Sequence, residues 1–305
     1  MSTATIIGGI TVDIEGRPES RLIHADSNPG SISITYGGVG RNIVENLCRL
    51  GVDVKFISIV GNDLTGRTAV RELSDLGADV SGIKVLAEEN TAMYISILDI
   101  VGDMELALCN MDALEKISPA IIDEVAQGSS ESKIIGLDTN LTEDVLSYAT
   151  ERLGDKPLFL DPVSTTKAER AKRIIGKFHT IKPNRSEAEI LLDMEIRDPK
   201  ALEKAGHAFI EKGVKQVFIS LAAGGVYFTD GNKAELIKPF GVPNSIGSST
   251  GAGDAFSAAV IYSFIKGYDI RKAALFSLAA ASLTMESKSP VNPQLRLENI
   301  EEKTK

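Results

Sequence analysis

Short β-branched runs alternate with amphipathic helical stretches along almost the whole chain, and this rhythm restricts the fold more than any other feature. Residues 5–7, 54–59, 133–137, 158–160, 180–181 (within a run from His179 to Lys182) and 216–220 read as strands. Strands separated by helices cannot pair as simple hairpins. The chain therefore predicts an α/β fold, a doubly wound and mainly parallel sheet with helices on both faces. Ligands in such sheets collect beyond the C-terminal strand ends, and Asp13, Asp138, Asp161, Asn184 and Ser220 follow predicted strands directly. Two segments break the rhythm, 31–35 and 91–108, the second folding back around Gly102-Asp103. They predict a small β lid, with segments of about 14–36 and 90–112 inserted into one domain spanning 1–305.

Composition narrows the function classes. With 305 residues and 43% hydrophobic content the chain buries a sizeable core, and a net charge of -9 argues against general nucleic-acid binding. Cys48 and Cys109 sit in apolar settings, which speaks against a disulfide framework and for a reducing cytoplasm. The start lacks a basic leader, and the apolar run at 255–265 is too short to span a bilayer, so no membrane association is expected. His24, His179 and His207 show no metal-binding spacing.

Chemistry concentrates in two glycine turns. Ser249-Thr250-Gly251-Ala252-Gly253-Asp254-Ala255-Phe256 leads into a helix marked by Phe256, Val260, Ile261, Phe264 and Ile265. Successive amides at Gly251, Ala252 and Gly253, with the positive helix end, form an anion hole, and Asp254 at its rim is placed to accept a proton. The alternative is that these glycines only let a loop pack closely. Tyr36-Gly37-Gly38-Val39-Gly40-Arg41-Asn42 opens a second helix carrying Ile43, Leu47 and Leu50, and Asn42 offers a donor and an acceptor to a hydroxyl-rich ligand. A dinucleotide fingerprint fails there, because Ile43 stands at the third glycine position. In Lys182-Pro183-Asn184-Arg185-Ser186-Glu187, the Asn184 and Glu187 pair suits either a phosphate region or a helix cap.

These elements, in this order, resemble the two signatures of the ribokinase-like, or PfkB, carbohydrate kinase family over nearly the whole chain, with Ser248 and Ser249 replacing the first two residues of the second signature. The resemblance implies an ATP-dependent kinase with Asp254 as general base and the amides of Gly251, Ala252 and Gly253 stabilising phosphoryl transfer. It implies that Asp13, Gly38 and Asn42 hold ribose hydroxyls, that Asp138 or Asn140 completes the sugar pocket, and that Thr250, Ser220 and Gly225 lie beside ATP; for Asp13 a turn-capping role stays open. Ala222 and Ala223 stand where relatives carry glycine. Asn184 and Glu187 match the family's magnesium and phosphate element, with Glu187 reaching Mg2+ through water. A monovalent cation such as K+ near Ser248 to Thr250 follows by analogy, though Ser248 replaces an aspartate.

The segments at 25–30, 90–91 and 110–112 resemble those of pseudouridine kinases within the family, implying phosphorylation of a nucleoside 5'-hydroxyl with Asn28, Ser96, Asn110 and Asp112 reading the base. Met93 and Met111 would pack on that base or simply fill the core. A kinase of ribose, adenosine or another sugar, and a non-catalytic nucleoside sensor, are the alternatives. The family's lid often meets its twin in a second subunit, which implies a homodimer.

Overall fold

Gly8 and Gly9 divide the N-terminal region into two strands with different destinations. Before them β1 (Ala4–Ile7) enters the main sheet, and after them β2 (Thr11–Pro18) enters the lid. The computed structural model describes residues 3–240 and 250–305. Helix α1 (Val39–Arg49) follows lid strand β3 (Gly30–Gly37), and then come β4 (Val54–Gly61), α2 (Leu64–Asp75) and β5 (Asp79–Leu86). The lid resumes with β6 (Met93–Leu98) and β7 (Met104–Asn110), before α3 (Pro119–Gly128), β8 (Ile134–Asp138), α4 (Glu143–Arg152) and β9 (Leu158–Asp161). Next are α5 (Thr165–Ala168), β10 (Thr180–Ile181), α6 (Arg185–Leu192), α7 (Pro199–Lys212), β11 (Gln216–Ser220), β12 (Val226–Thr229) and β13 (Ala234–Ile237). The C-terminal part is helical: α8 (Ala252–Ile265), α9 (Ile270–Met285) and α10 (Leu297–Lys303).

Among the described residues the main sheet has nine strands in the order β13-β12-β11-β10-β9-β8-β1-β4-β5. Its strands are parallel from β5 to β11, while β12 and β13 return antiparallel at one edge. Period-2 alternation sends neighbouring side chains to opposite cores. Ile6, Phe159 and Phe218 join one cluster with α1, α8 and α9, whereas Ile7, Leu160 and Ile219 join another with α3, α4 and α7. Burial on both faces explains why β1, β8 and β9 are apolar without alternation in hydropathy.

The second sheet has four strands in the order β3-β2-β6-β7. Its register fixes what shares a face. Asp13 opposes Thr35 and Tyr94, and Glu15 opposes Ser33 and Ser96, forming a polar face. The other face carries Ile14, Ile32, Ile34, Ile95, Leu106 and Leu108. The sequence reading of Asp13 as the end of the first strand is corrected here: β1 stops at Ile7, and Asp13 is the third residue of lid strand β2. The glycine pair lets the chain leave one sheet for the other without a helix between. The run from His179 to Lys182 is likewise narrower, with only Thr180 and Ile181 paired.

Candidate active site

Gly251 caps the start of α8 at φ 81, a left-handed conformation, and a Cβ there would strike the Pro290 carbonyl. Gly251 has no side chain with which to cap the helix, whose positive dipole end lies here. Asp254 lies in that first turn. Asn42, on the first turn of α1, donates from Nδ2 to Asp254 Oδ2 at 2.8 Å across 212 residues of sequence. The two glycine turns therefore converge on one carboxyl group. Burial, followed by the repulsion of Asp161, pushes the pKa of Asp254 up to about 7, against the pull of Asn42 and Lys182.

Asn42 is itself steered. Arg41 Nη1 donates to Asn42 Oδ1 at 3.2 Å and meets Glu45 at 2.6 Å, so the amide presents its nitrogen toward Asp254. Gly38, at φ 96, begins α1, and a Cβ on it would collide with the Gly9 carbonyl. Asp138 fastens this junction: its Oδ2 accepts from the amides of Gly9 at 2.9 Å and Gly40 at 2.8 Å, and its Oδ1 from the Asn140 amide at 2.9 Å. Burial raises its pKa while the bonds from Gly9 and Asn140 oppose the rise. Asp138 thus joins the β8 end to both glycine segments. Asp13 lies over Gly37, accepts from the Thr11 hydroxyl at 3.1 Å, and has its pKa raised by burial. Ser96 shares the polar lid face with it.

A buried cation, not anticipated as a functional group, supports the turn that bears Asp254. Lys182 is 6% exposed and its Nζ lies 3.1 Å from Asp161 Oδ2 and 3.4 Å from the Gly253 carbonyl. Burial favours its neutral form, but the Asp161, Glu187 and Asp254 carboxylates hold it above the usual lysine range. The available signal was a lysine at the exit of an apolar strand. Asn184 and Glu187 form a complete capping box: Asn184 Oδ1 accepts from the Glu187 amide at 2.9 Å, and the Asn184 amide donates to Glu187 Oε2 at 2.8 Å. Ser220 bridges to Asn184, and Gly225, at φ 90, ends a turn in which Ala222 adopts φ 48.

Of the residues expected to read the base, Ser96 and Asn110 lie on opposite faces of the lid. Asn28 spends its side chain inside its own loop, accepting from the Ile23 amide and donating to the Ile23 and Asp26 carbonyls. Asn110 donates to Asp112 Oδ2 at 3.1 Å, and its register with Met93 and Val12 puts it on the lid face opposite Asp13. Thr250 begins the second described stretch, whereas Ser248 and Ser249 lie outside the described residues. Among the described residues no cluster of three or more His, Cys, Asp or Glu side chains is placed to hold a metal.

A doubly wound sheet with a β lid, and a carboxyl group set beside a helix N-terminus at its strand ends, defines an α/β phosphotransferase. The chain belongs to the pfkB family of carbohydrate kinases, whose pattern matches residues 1–296. It is 30% identical to a pseudouridine kinase of Escherichia coli strain K12, covering 97% of this chain and 94% of that one. A carbohydrate kinase structure from Agrobacterium tumefaciens is 28% identical with a TM-score of 0.86, covering 100% of this chain and 97% of the other. Arabidopsis thaliana ribokinase, solved with ribose and ATP, superposes with a TM-score of 0.88 at 19% identity, covering 100% and 99%, a likeness of fold. The protein is a kinase of ribokinase-like architecture.

Proposed function

We propose that this kinase transfers the γ-phosphoryl group of ATP to the 5'-hydroxyl of pseudouridine. The hydrogen bond between Asn42 and Asp254 carries the reading, because it joins the first glycine turn and α1 to a base of near-neutral pKa in the first turn of α8. The 5'-oxygen attacks the γ-phosphorus, the bond to the bridging oxygen breaks, and Asp254 takes the hydroxyl proton; the amides of Ala252 and Gly253 meet the phosphoryl charge. Glu187, one oxygen already engaged by the Asn184 amide, fits an outer place beside a magnesium ion that the donor's phosphates would carry to neutralise charge. Asp13 and Gly38 are assigned to the ribose, and Ser220, Gly225 and Thr250 to the nucleotide.

The pseudouridine kinase among the relatives and the polar lid face of Asp13, Glu15, Tyr94 and Ser96 favour a hydrophilic nucleoside. The capture of Asn28, Asn110 and Asp112 by local hydrogen bonds favours a second reading, a kinase of a simple sugar. The free Cys48 and Cys109 accord with a reducing cytoplasm. A panel of pseudouridine, uridine, adenosine, ribose and fructose with ATP separates the two readings: fastest turnover of ribose or fructose overturns the first.

A further inference from the structure

Beneath the catalytic turn lies a charged pair for which the reaction above has no task. Asp161, the last residue of β9, is 2% exposed, and its Oδ2 accepts at 2.6 Å from the hydroxyl of Ser257, which lies on α8 one turn beyond Asp254. The same oxygen faces Lys182 Nζ, which in turn donates to the Gly253 carbonyl. The other carboxylate oxygen accepts from the Val163 amide at 2.9 Å. A buried ion pair contributes little net stability, since desolvation offsets its attraction. Its place under one helical turn points to a different use.

We infer that Asp161 is a positioning residue for phosphoryl transfer: through Ser257 and Lys182 it anchors the first turn of α8 to the sheet and fixes both the aim and the working charge state of Asp254. The inference rests on Asp254 being the base. Ser257 and Asp254 are three residues apart and so lie on one side of the helix. The bond from Ser257 therefore fixes the rotation of α8 about its axis, and the Lys182 contact fixes the residue before Asp254. Small errors of aim are costly in a reaction that depends on alignment.

Charge works through the same atoms. Asp161 at the end of β9 and Asp138 at the end of β8 oppose ionisation of Asp254, while Lys182 beyond β10 favours it. Glu187 of α6 stands behind Lys182. From α1 comes Arg41, already paired with Glu45 and Glu72. On α9, Arg271 pairs with Glu235 and Lys272 lies over the Tyr268 ring, at the end of α8 remote from Asp254. Removing the Asp161 charge lowers the pH at which Asp254 gives up its proton, and removing the Lys182 charge raises it.

The test measures kcat and KM against pH with the best substrate of the panel. Asp161→Asn moves the acid limb of kcat/KM down by roughly half a pH unit or more, Lys182→Met moves it up, and Asp161→Glu leaves it in place. Ser257→Ala, which changes no charge, lowers kcat about fivefold or more, with both KM values within about twofold and the limb unmoved. Full kcat in Ser257→Ala overturns the inference even if the charge variants do not fold, as do limbs that stay still or move together in the other two. Undiminished activity of Asp254→Asn is a separate result, which removes the base assignment rather than the anchoring.

Discussion

Asp254 combines burial, two carboxylate neighbours and one amide donor, so under its proposed assignment as the base its protonation bears on both rate and stability. With a pKa of about 7, kcat/KM in the wild type falls as pH drops through neutrality, and Asp254→Asn lowers kcat by roughly a thousandfold. The sign for stability is the opposite of that for a salt-bridged aspartate. A carboxyl raised from 3.8 to about 7 imposes no cost below the lower value and its full cost above the upper one. Asp254→Asn should therefore raise Tm at pH 8 and leave it unchanged near pH 4, as calorimetry can check. Ala222, at φ 48, invites a second substitution: Ala222→Gly should stabilise by about 1 kcal/mol in urea unfolding without raising the KM for ATP. Asp254 and Asn42 were legible in sequence because their types and glycine neighbours specify geometry. The fates of Asn28 and Asn110 were not, since capture by a loop depends on turn dihedrals that residue types leave open. Lys182 escaped notice as a buried cation because a lysine at a strand end ordinarily faces water.

The connection between α2, β4 and the lid turns on Asp63. It caps α2 by accepting from the Gly66 amide at 2.7 Å, and it also accepts from the amide and hydroxyl of Thr91, at 2.7 Å and 2.9 Å, just before β6. Burial acts upward, but these bonds and the Thr65 hydroxyl bring its pKa down to about 2. Asp63→Ala should cost roughly 2 kcal/mol at pH 7. A depressed carboxyl contributes above its ordinary value of 3.8, so the gap between wild type and variant in urea midpoint should close as pH falls from there toward 2. The six strand segments and the helices after both glycine turns were readable from periodicity. The lid strand bearing Asp13 was not, because the glycines that separate it from β1 resemble an ordinary loop; the antiparallel β12 and β13 also went unread, although Asp230-Gly231 between them marks a hairpin and their connections are too short for a parallel crossover.

The lid exposes an apolar face on an acidic molecule of net charge -9. Ile32 is 76% exposed, Ile34 56% and Leu108 67%, while the opposite face is polar. A second copy offering the same face is the proposed cover, since two identical strand surfaces satisfy each other by twofold symmetry. Light scattering at micromolar protein should return twice the mass of one chain, and the paired change Ile34→Lys with Leu108→Lys should halve it while weakening substrate binding. A monomeric wild type would remove the proposal. Among the described residues no helix is long and apolar enough to cross a membrane. The bond from Asn42 to Asp254 carries a further consequence, because it ties the first glycine turn to a helix made 212 residues later. During synthesis the first turn leaves the ribosome long before Asp254 exists, so on the proposed assignment of the base the growing chain stays chemically silent until α8 docks, and activity becomes a timer for completed folding.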